Sequence, residues 1–347
     1  MISLSKPLKS IFCILGLLGM VLILGGCGQT RVQADRDRSG TMLLPSGPAA
    51  EPKVRKVGIV SAYGGPKESE LNSAVARAVY QAGQTLRIQV MLIQHGDFAN
   101  NREAMNFLVN NGCDLVIGLG QSQEEDLAEV AKANPEALFA GVDITAEAPN
   151  IASRLFREDE GAYLAGVLAG QVTKTNLVGF VGGANWPEIN RMEKAYRAGV
   201  DYYAKLRGGT VPIQVYSSYI GLLDKAFNQP DKGKALAGTI LDSGADVVFH
   251  AAGQSGEGVI QAAAERNVFA IGSGYDQTQR YPGTVVASPV KNYQGAIYQL
   301  LADLTTGKLK PGTTTVGVKE KGVSLMWSQV ITNPQWQMTV SQAAYQL

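Results

Sequence analysis

The sequence predicts an α/β protein built from two similar halves, each with a parallel sheet. Short apolar runs rich in β-branched residues alternate with amphipathic segments, which is the pattern of strands joined by helical crossovers. Glycines, 40 of the 347 residues, gather at the ends of these runs, where strand-to-helix turns need a positive φ or a close backbone approach. A chain of this length with 45% hydrophobic residues can bury two cores rather than one.

The first half is predicted from five strand candidates, which are residues 57–60, 88–93, 114–119, 137–142 and 151–156. Between the first two, Leu71, Ala74 and Ala78 recur at helical spacing and predict a helix with one buried face. Ser122 with Glu125 predicts a capping box at the start of the helix that follows the third strand.

The same alternation then starts again, with strand candidates at residues 177–181, 213–216, 246–250, 268–271 and 284–287. Helices are expected at about 158–173, after Pro187, from about 232 and at about 292–306. Ligands bind outside the carboxyl ends of parallel strands, so two such halves facing each other would enclose a cleft lined by the post-strand turns.

The amino-terminal segment predicts export and a lipid anchor. Residues 1–26 place two lysines before a short apolar run and end in Gly25-Gly26, directly before Cys27, so they are expected to be a signal peptide. The Leu-Gly-Gly-Cys ending is similar to a bacterial lipobox, in which the cysteine becomes the lipidated first residue. A plain amino-terminal membrane anchor is the alternative, although the run is shorter than the roughly 20 residues such a helix needs. Residues 27–55 are polar and proline-bearing and predict a flexible tether for an extracytoplasmic domain at the cell membrane.

Charge and motif content exclude several classes of function. Lys plus Arg number 31 against 30 for Asp plus Glu, and this balance gives no electrostatic reason to expect nucleic acid as a partner. His95 and His250 have no clustered cysteines beside them, so no metal site is expected. No serine or cysteine shows a recognisable base motif, and Gly253 lies in a glycine-rich turn that lacks the lysine of a nucleotide-binding loop. The sequence predicts neither an enzyme nor a cofactor.

Aromatic residues in two post-strand turns are candidates for stacking on a flat ligand. Tyr63 follows the first strand, and Trp186 follows a Gly-Gly-Ala-Asn turn that offers it little core to enter. Each also has a plain structural explanation, as a surface turn tyrosine and as a tryptophan packed at a hinge.

Polar groups in the same class of turn are candidates for hydrogen bonding. Gly120 and Gln121 stand at a helix start where backbone N–H groups could meet a polar ligand, although every fold of this kind needs such turns. Asp143 ends the fourth strand and would accept hydroxyl hydrogen bonds, Asp276 follows a later strand, and Gly253 would allow a ligand to approach the backbone.

Several motifs in order resemble those of the basic membrane protein family of substrate-binding lipoproteins. They are Glu160-Gly-Ala-Tyr-Leu-Ala-Gly166, Gly179-Phe-Val-Gly-Gly183, Gly244-Ala-Asp-Val-Val-Phe249, Ala251-Ala-Gly253 and Ile271-Gly272 with Asp276-Gln277, and the similarity spans about 55 to 325. The resemblance implies a type I periplasmic-binding fold, with two Rossmann-like lobes and a hinge of three strands. It also implies a purine nucleoside or related ligand and the permease of an ABC importer as a partner.

The resemblance further implies lobe boundaries and three more site residues. The expected lobes are 56–157 plus 285–310 and 158–284 plus 311–347. Asn72 matches a family asparagine, Lys291 aligns with the family's post-strand lysine, and Gly274 stands where the family has an aspartate that binds ribose hydroxyls. Lys291 has a solvated helix start as its alternative explanation, and Trp186 and Lys291 are expected to line one cavity.

Departures from the family pattern leave two hypotheses about function. The first loop reads Lys67-Glu-Ser-Glu-Leu-Asn72 where the family has paired aspartates and a Ser-Phe-Asn segment, and Gly274 lacks the family carboxylate. One hypothesis is a lipid-anchored solute receptor of an importer that binds a small polar, nucleoside-like metabolite. The other is a ligand-sensing regulatory lipoprotein of the same fold that is not coupled to transport.

Overall fold

A computed structural model describes residues 54–62, 66–94, 96–209 and 211–347. The predicted signal peptide, Cys27, most of the predicted tether and Tyr63 lie outside the described residues. Within them, strands and helices alternate as the sequence pattern predicts, and the strands form two six-stranded sheets.

The strands are β1 (Arg55–Val60), β2 (Ile88–Ile93), β3 (Leu115–Leu119), β4 (Phe139–Val142), β5 (Ile151–Phe156), β6 (Leu177–Ala184), β7 (Gln214–Gly221), β8 (Val247–Ala251), β9 (Phe269–Ile271), β10 (Val285–Lys291), β11 (Gly312–Val316) and β12 (Val323–Trp327). The helices are α1 (Pro66–Thr85), α2 (Asn101–Asn110), α3 (Glu124–Ala133), α4 (Glu158–Val172), α5 (Pro187–Leu206), α6 (Pro230–Asp242), α7 (Gly256–Glu265), α8 (Tyr293–Thr305) and α9 (Pro334–Ala344). In this described part of the chain, none of the helices combines the length and apolar character needed to cross a membrane.

Each sheet is the centre of one lobe. The first sheet has the order β11-β5-β4-β3-β1-β2 and all its strands are parallel, and the second has the order β12-β10-β9-β8-β6-β7 with β12 alone antiparallel to its neighbour. Central strands such as β3, β4 and β8 are buried along their whole length, because helices cover both faces of a parallel sheet. The predicted α/β fold class is confirmed.

Each face of each sheet has its own hydrophobic core. In the first lobe, α1 and α8 cover one face and α2 and α3 cover the other. In the second lobe, α4, α5 and α9 cover one face and α6 and α7 cover the other. Gly166 and Gly199 let α4 and α5 approach so closely that a Cβ on either would collide with the backbone of the other helix. Part of the Glu160–Gly166 motif is therefore explained by helix packing.

The chain crosses between the lobes three times, and this corrects the expected boundaries. It crosses from β5 into α4, from β10 into α8, and from β11 to β12. The prediction placed 285–310 in the first lobe and 311–347 in the second, which is wrong for one strand in each segment. Strand β10 pairs with β9 in the second sheet, and β11 pairs with β5 in the first. The residues of a strand do not show in which of two sheets it will pair.

The predicted capping box is also absent from the start of α3. A short 3-10 helix, Gln121–Gln123, precedes α3, and no side chain caps it. The buried residue there is Gln123, whose Oε1 accepts a hydrogen bond from the Leu119 N–H at 3.0 Å and whose Nε2 donates to the Ser61 carbonyl at 2.9 Å. This amide fixes the turns after β1 and β3 relative to each other.

A candidate ligand-binding cleft

The crossovers turn the carboxyl ends of the two sheets toward each other. Strand β5 ends at Phe156 and the chain enters α4 of the second lobe, while β10 ends at Lys291 and the chain enters α8 of the first. Each sheet therefore presents its carboxyl edge to the opposite lobe. The post-strand turns named from the sequence that the structure describes lie on these two facing edges, where ligands bind in parallel sheets.

A buried ion cluster lies where two of the crossovers meet. The Lys291 side chain is only 4% exposed. Its Nζ donates to both carboxylate oxygens of Asp143 at 2.9 Å and contacts Glu158 Oε1, and the Tyr293 hydroxyl donates to Asp143 Oδ2 at 3.1 Å. Burial alone would lower the pKa of Lys291, but Asp143 and Glu158 outweigh it and raise that pKa well above its ordinary value. Lys291 is therefore a cation at neutral pH.

Two aromatic rings enclose the same ammonium group. Its Nζ lies 5.7 Å from the Phe156 ring centroid and 6.0 Å from that of Tyr293, and the two rings meet edge to face. The candidates Asp143 and Lys291 are thus brought together by the fold, yet each is bound to the other. The Lys291 side chain is not a solvated helix start.

Asp276, the other charged candidate, bonds within its own turn. Its Oδ1 accepts hydrogen bonds from the Thr278 N–H at 2.9 Å and the Thr278 hydroxyl at 2.7 Å. Nearby, Gly274 has a φ of +83°, and its N–H donates to the Pro289 carbonyl at 3.0 Å. A Cβ built on Gly274 would meet no atom within 4 Å, so this position borders open space beside the end of β10.

A carboxylate that sequence reasoning missed organises the turn after β9. Glu257, in the first turn of α7, accepts hydrogen bonds from the Tyr275 hydroxyl at 2.6 Å, the Tyr281 hydroxyl at 2.5 Å and Arg280 Nη1 at 3.1 Å. Burial alone would raise the pKa of Glu257, but these donors outweigh it and hold the pKa below its ordinary value. The polar residues Tyr275, Arg280 and Tyr281 in one post-strand turn were the available signal.

A buried histidine, His250, contacts the same turn through the side chain of Gln277. His250 is 1% exposed, and burial lowers its pKa to about 4, so the ring is neutral at pH 7. Its Nε2 lies 3.0 Å from Gln277 Oε1, which also accepts a hydrogen bond from the Ser273 N–H at 2.9 Å. The amide oxygen of Gln277 can only accept, so Nε2 carries the proton. Sequence reasoning placed Gln277 in a motif without recognising this anchoring role.

Trp186 lies on the facing edge of the second lobe, away from the ion cluster. It is 38% exposed, its Nε1 donates to the Leu222 carbonyl at 2.9 Å, and its ring lies 5.3 Å from that of Phe227. Leu222 and Leu223 are 72% and 60% exposed. We call Trp186, Phe227, Leu222 and Leu223 the aromatic corner. Gly253, with a φ of +54°, adjoins it, because a Cβ there would lie 3.2 Å from Phe227 Cβ.

The candidates of the first lobe are partly used by the fold itself. The Asn72 side chain accepts a hydrogen bond from the Ala62 N–H at 3.0 Å and donates to the Ala62 carbonyl at 2.9 Å, so it binds the backbone at Ala62, just after β1. Gly120 has a φ of +77°, and its N–H donates to the Val142 carbonyl at 2.9 Å. Gln121 is exposed at the start of the 3-10 helix.

A cavity of about 350 Å³ adjoins the aromatic corner, and it is lined by Ile220, Gly221, Leu222, Leu223, Lys225, Ala226, Gln229 and Lys232. Trp186 is not among these lining residues, but it donates a hydrogen bond to the carbonyl of Leu222, which is. The expectation that Trp186 and Lys291 line one cavity stays a prediction.

Known structures establish the class of this fold. A solute-binding protein of an ABC transporter system from Aeropyrum pernix K1 has a TM-score of 0.60 at 24% identity, covering 85% of this chain and 86% of that one. A similar protein from Conexibacter woesei has a TM-score of 0.63 at 19% identity, covering 85% and 96% of the two chains. A transcriptional activator of the comK gene from Bacillus halodurans has a TM-score of 0.64 at 19% identity, with 84% and 96% covered. At these identities the likeness shows the fold alone, that of the two-lobed periplasmic-binding proteins.

Sequence comparison then places the chain in a family. Residues 64–343 match the Bmp family model, described as ABC transporter substrate-binding protein PnrA-like, so the chain belongs to this family and the predicted resemblance is confirmed. The nucleoside-binding protein BmpA of Lactococcus lactis is 31% identical over 337 residues, which cover 89% of this chain and 88% of the relative. A CD4+ T-cell-stimulating antigen of Listeria innocua is 31% identical over 285 residues, covering 78% and 74%. The chain is a substrate-binding protein of the ABC transporter class.

Proposed function

We propose that this protein is the lipid-anchored, extracytoplasmic receptor of an ABC importer and that its two lobes close on a small polar, nucleoside-like metabolite. The observation that carries the proposal is that both sheets turn their carboxyl edges toward each other across three crossovers. A partly exposed tryptophan face lies on one of these edges, and an aromatic face is a platform on which a flat ring can stack. The relative BmpA is named for nucleoside binding.

The crossovers are tied together in a way that suits a hinge. Lys291 of the second crossover contacts Glu158 of the first. Glu160, just beyond the first, accepts hydrogen bonds from the Val318 N–H of the third at 2.6 Å and from Arg157 at 3.1 Å. Hinge closure of such domains is absorbed by large φ/ψ changes at a few positions, while the rest of each lobe moves as one body. Ligand binding would shift the population toward the closed form, whose changed surface the permease would recognise.

The proposed lipid anchor is on Cys27. It would hold the receptor at the membrane that contains its permease partner. A lipid on Cys27 would keep the domain near the permease, and residues 27–55 would give it reach. Metabolic labelling with a radioactive fatty acid tests the anchor, with Cys27→Ser as the matched control. The expected result is label on the wild-type protein and none on C27S; equal labelling would contradict the anchor.

Ligand binding is tested by thermal shift of the full-length protein in detergent against nucleosides, nucleobases and related metabolites. A ligand that binds only the folded state at 100 times its Kd stabilises it by about 2.7 kcal/mol, which gives a measurable rise in Tm. No shift across the panel would contradict the proposal. Uptake of the radiolabelled ligand by cells with and without the gene then tests transport. Binding with unchanged uptake would reject the importer role and favour the sensing hypothesis.

A further inference from the structure

Two of the three crossovers between the lobes contain a single residue outside the strands and helices. Arg157 alone separates β5 from α4, and Asn292 alone separates β10 from α8. The residues on either side are fixed by strand and helix hydrogen bonds. A rotation of one lobe against the other must therefore be absorbed largely by the φ and ψ angles of these two residues.

The two joining residues share one backbone conformation. Arg157 has a φ of −82° and a ψ of 77°, and Asn292 has a φ of −84° and a ψ of 69°. Both lie close to the inverse γ-turn, at about −75° and +65°, and their ψ falls between the values of strands and of helices. A change in ψ at such a residue redirects the helix relative to the strand and breaks no hydrogen bond inside either element. The shared position and conformation indicate a matched pair of pivots.

The third crossover, residues 317–322 between β11 and β12, is bonded to both of these residues. The Arg157 N–H donates to the Val316 carbonyl at 3.0 Å, where β11 ends. The Asn292 N–H donates to the Gly322 carbonyl at 2.8 Å, just before β12 begins. We call residues 317–322 the clip, because this turn is bonded beside each of the two single-residue crossovers.

Glu160 fastens the clip to the first crossover. Its side chain is 12% exposed, and its carboxylate accepts hydrogen bonds from the Val318 N–H at 2.6 Å and from Arg157 Nη1 at 3.1 Å. A Cβ on Gly317 would displace this carboxylate, so the glycine allows the close approach. Hydrogen bonds to a charged group are stronger than neutral ones, and loss of Glu160 should therefore release the clip from Arg157.

We propose that Arg157 and Asn292 are the pivots of lobe closure and that Glu160, through the clip, sets the equilibrium between lobe positions. This inference rests on the proposed function, in which the lobes close on a ligand. Glu160 is then a positioning residue that acts without contacting the ligand. The apparent affinity falls with the fraction of molecules in the binding-competent form, so a residue that sets this fraction also sets affinity.

The test measures the distance between the lobes by double electron–electron resonance. Spin labels are attached to p-acetylphenylalanine introduced at Ala133 on α3 of the first lobe and at Ala235 on α6 of the second, two exposed positions. The full-length protein is measured in detergent without any added compound, and its cysteines stay unmodified.

The first comparison removes the Glu160 carboxylate. Glu160→Ala should lower the population at the wild-type distance relative to other distances by about tenfold, the size of one charge-assisted hydrogen bond, and Glu160→Gln should fall between it and the wild type. Asp246→Ala is the matched control, since Asp246 also accepts backbone N–H bonds, from Lys174 at 2.7 Å and Thr175 at 3.2 Å, but lies within the second lobe. It should lower Tm and keep the wild-type distances. A folded E160A protein with wild-type distances, or an equal change in D246A, would overturn the role of Glu160.

The second comparison frees one pivot. Asn292→Gly adds backbone freedom and removes the cap in which Asn292 Oδ1 accepts from the Gly295 N–H at 2.9 Å. Asn100→Gly is its matched control, because Asn100 caps α2 in the same way, accepting from the Glu103 N–H at 2.9 Å, within the first lobe. N292G should broaden the distance distribution and N100G should not. Equal distributions for the two variants would overturn the pivots, whether or not E160A folds.

These outcomes are separate from those of the ligand panel. Absence of binding by every compound would contradict the proposed function and would not alter distances measured without a compound. Ligand binding together with unchanged distances in E160A and N292G would overturn this inference alone.

Discussion

Two regions on the facing edge of the second lobe differ in what surrounds them. The ion cluster at Lys291 is buried, charged and saturated with internal partners, whereas the aromatic corner at Trp186 is apolar and partly exposed. Sequence patterns marked both as ligand-binding. A charged residue at the end of one strand can thus be bound within the crossovers, while an aromatic residue in a turn elsewhere on the same edge stays partly exposed.

Removal of the central cation of the ion cluster should have the largest effect. Lys291→Met should lower the free energy of unfolding by about 3–5 kcal/mol, because the Asp143 carboxylate, whose side chain is 11% exposed, would lose its cation inside the protein. Chemical denaturation measures this loss, and the double variant K291M/D143N should recover part of it. A K291M protein of wild-type stability that no longer binds ligand would instead assign Lys291 to ligand recognition.

Acid should lower the free energy of unfolding through the protonation of His250. The pKa of buried His250 is about 4, below its usual value of about 6.5, so the unfolded state binds the proton more readily between these values. The stability that His250 contributes is therefore complete above pH 6.5 and is lost as the pH falls to 4, by about 3 kcal/mol. Unfolding free energies measured from pH 7 to 4 should show this loss in the wild type and a shallower slope in His250→Gln. Parallel slopes would contradict the assignment.

Trp186→Ala should affect binding more than stability. Loss of the stacking face is expected to weaken ligand affinity by about tenfold, since aromatic contacts of this kind contribute about 1 kcal/mol or slightly more. Trp186→Phe keeps a ring but loses the bond to the Leu222 carbonyl, and it should retain most of the affinity. Titration calorimetry checks both, and a W186A protein with wild-type affinity would remove Trp186 from the site.

The smallest effect is expected at the exposed leucines. Leu222→Ser and Leu223→Ser should each change the free energy of unfolding by no more than about 0.5 kcal/mol, because exposed side chains away from the core contribute little. Urea denaturation compares them with Leu71→Ser, whose side chain is buried and whose loss should cost several times more. Equal losses would mean that the corner is part of the packed core.

More of the fold than of the candidate site could be predicted from the sequence. The alternation of apolar runs and helical segments predicted the strands from β1 to β10, although β7 and β10 extend to Gly221 and Lys291, well beyond their predicted ends. Strands β11 and β12 were not predicted. Strand β11 (Gly312–Val316) is mostly exposed and has no apolar face. At the site, Trp186 and Asp143 were placed in the right turns, but Glu257 and the anchoring role of Gln277 were missed, since their partners become neighbours only when the turns after β8 and β9 meet.

The α/β alternation, the family and the approximate positions of the post-strand turns were predictable from the sequence, because they depend on local spacing and on residue types. The folded structure was needed to show that β10 joins the second sheet, that β11 joins the first, and that Lys291 binds a carboxylate 148 residues earlier. Pairings of that kind depend on which crossovers meet in space, and a charge pattern along the chain does not encode them. The structure therefore divides the candidate residues between holding the lobes together and contacting a ligand.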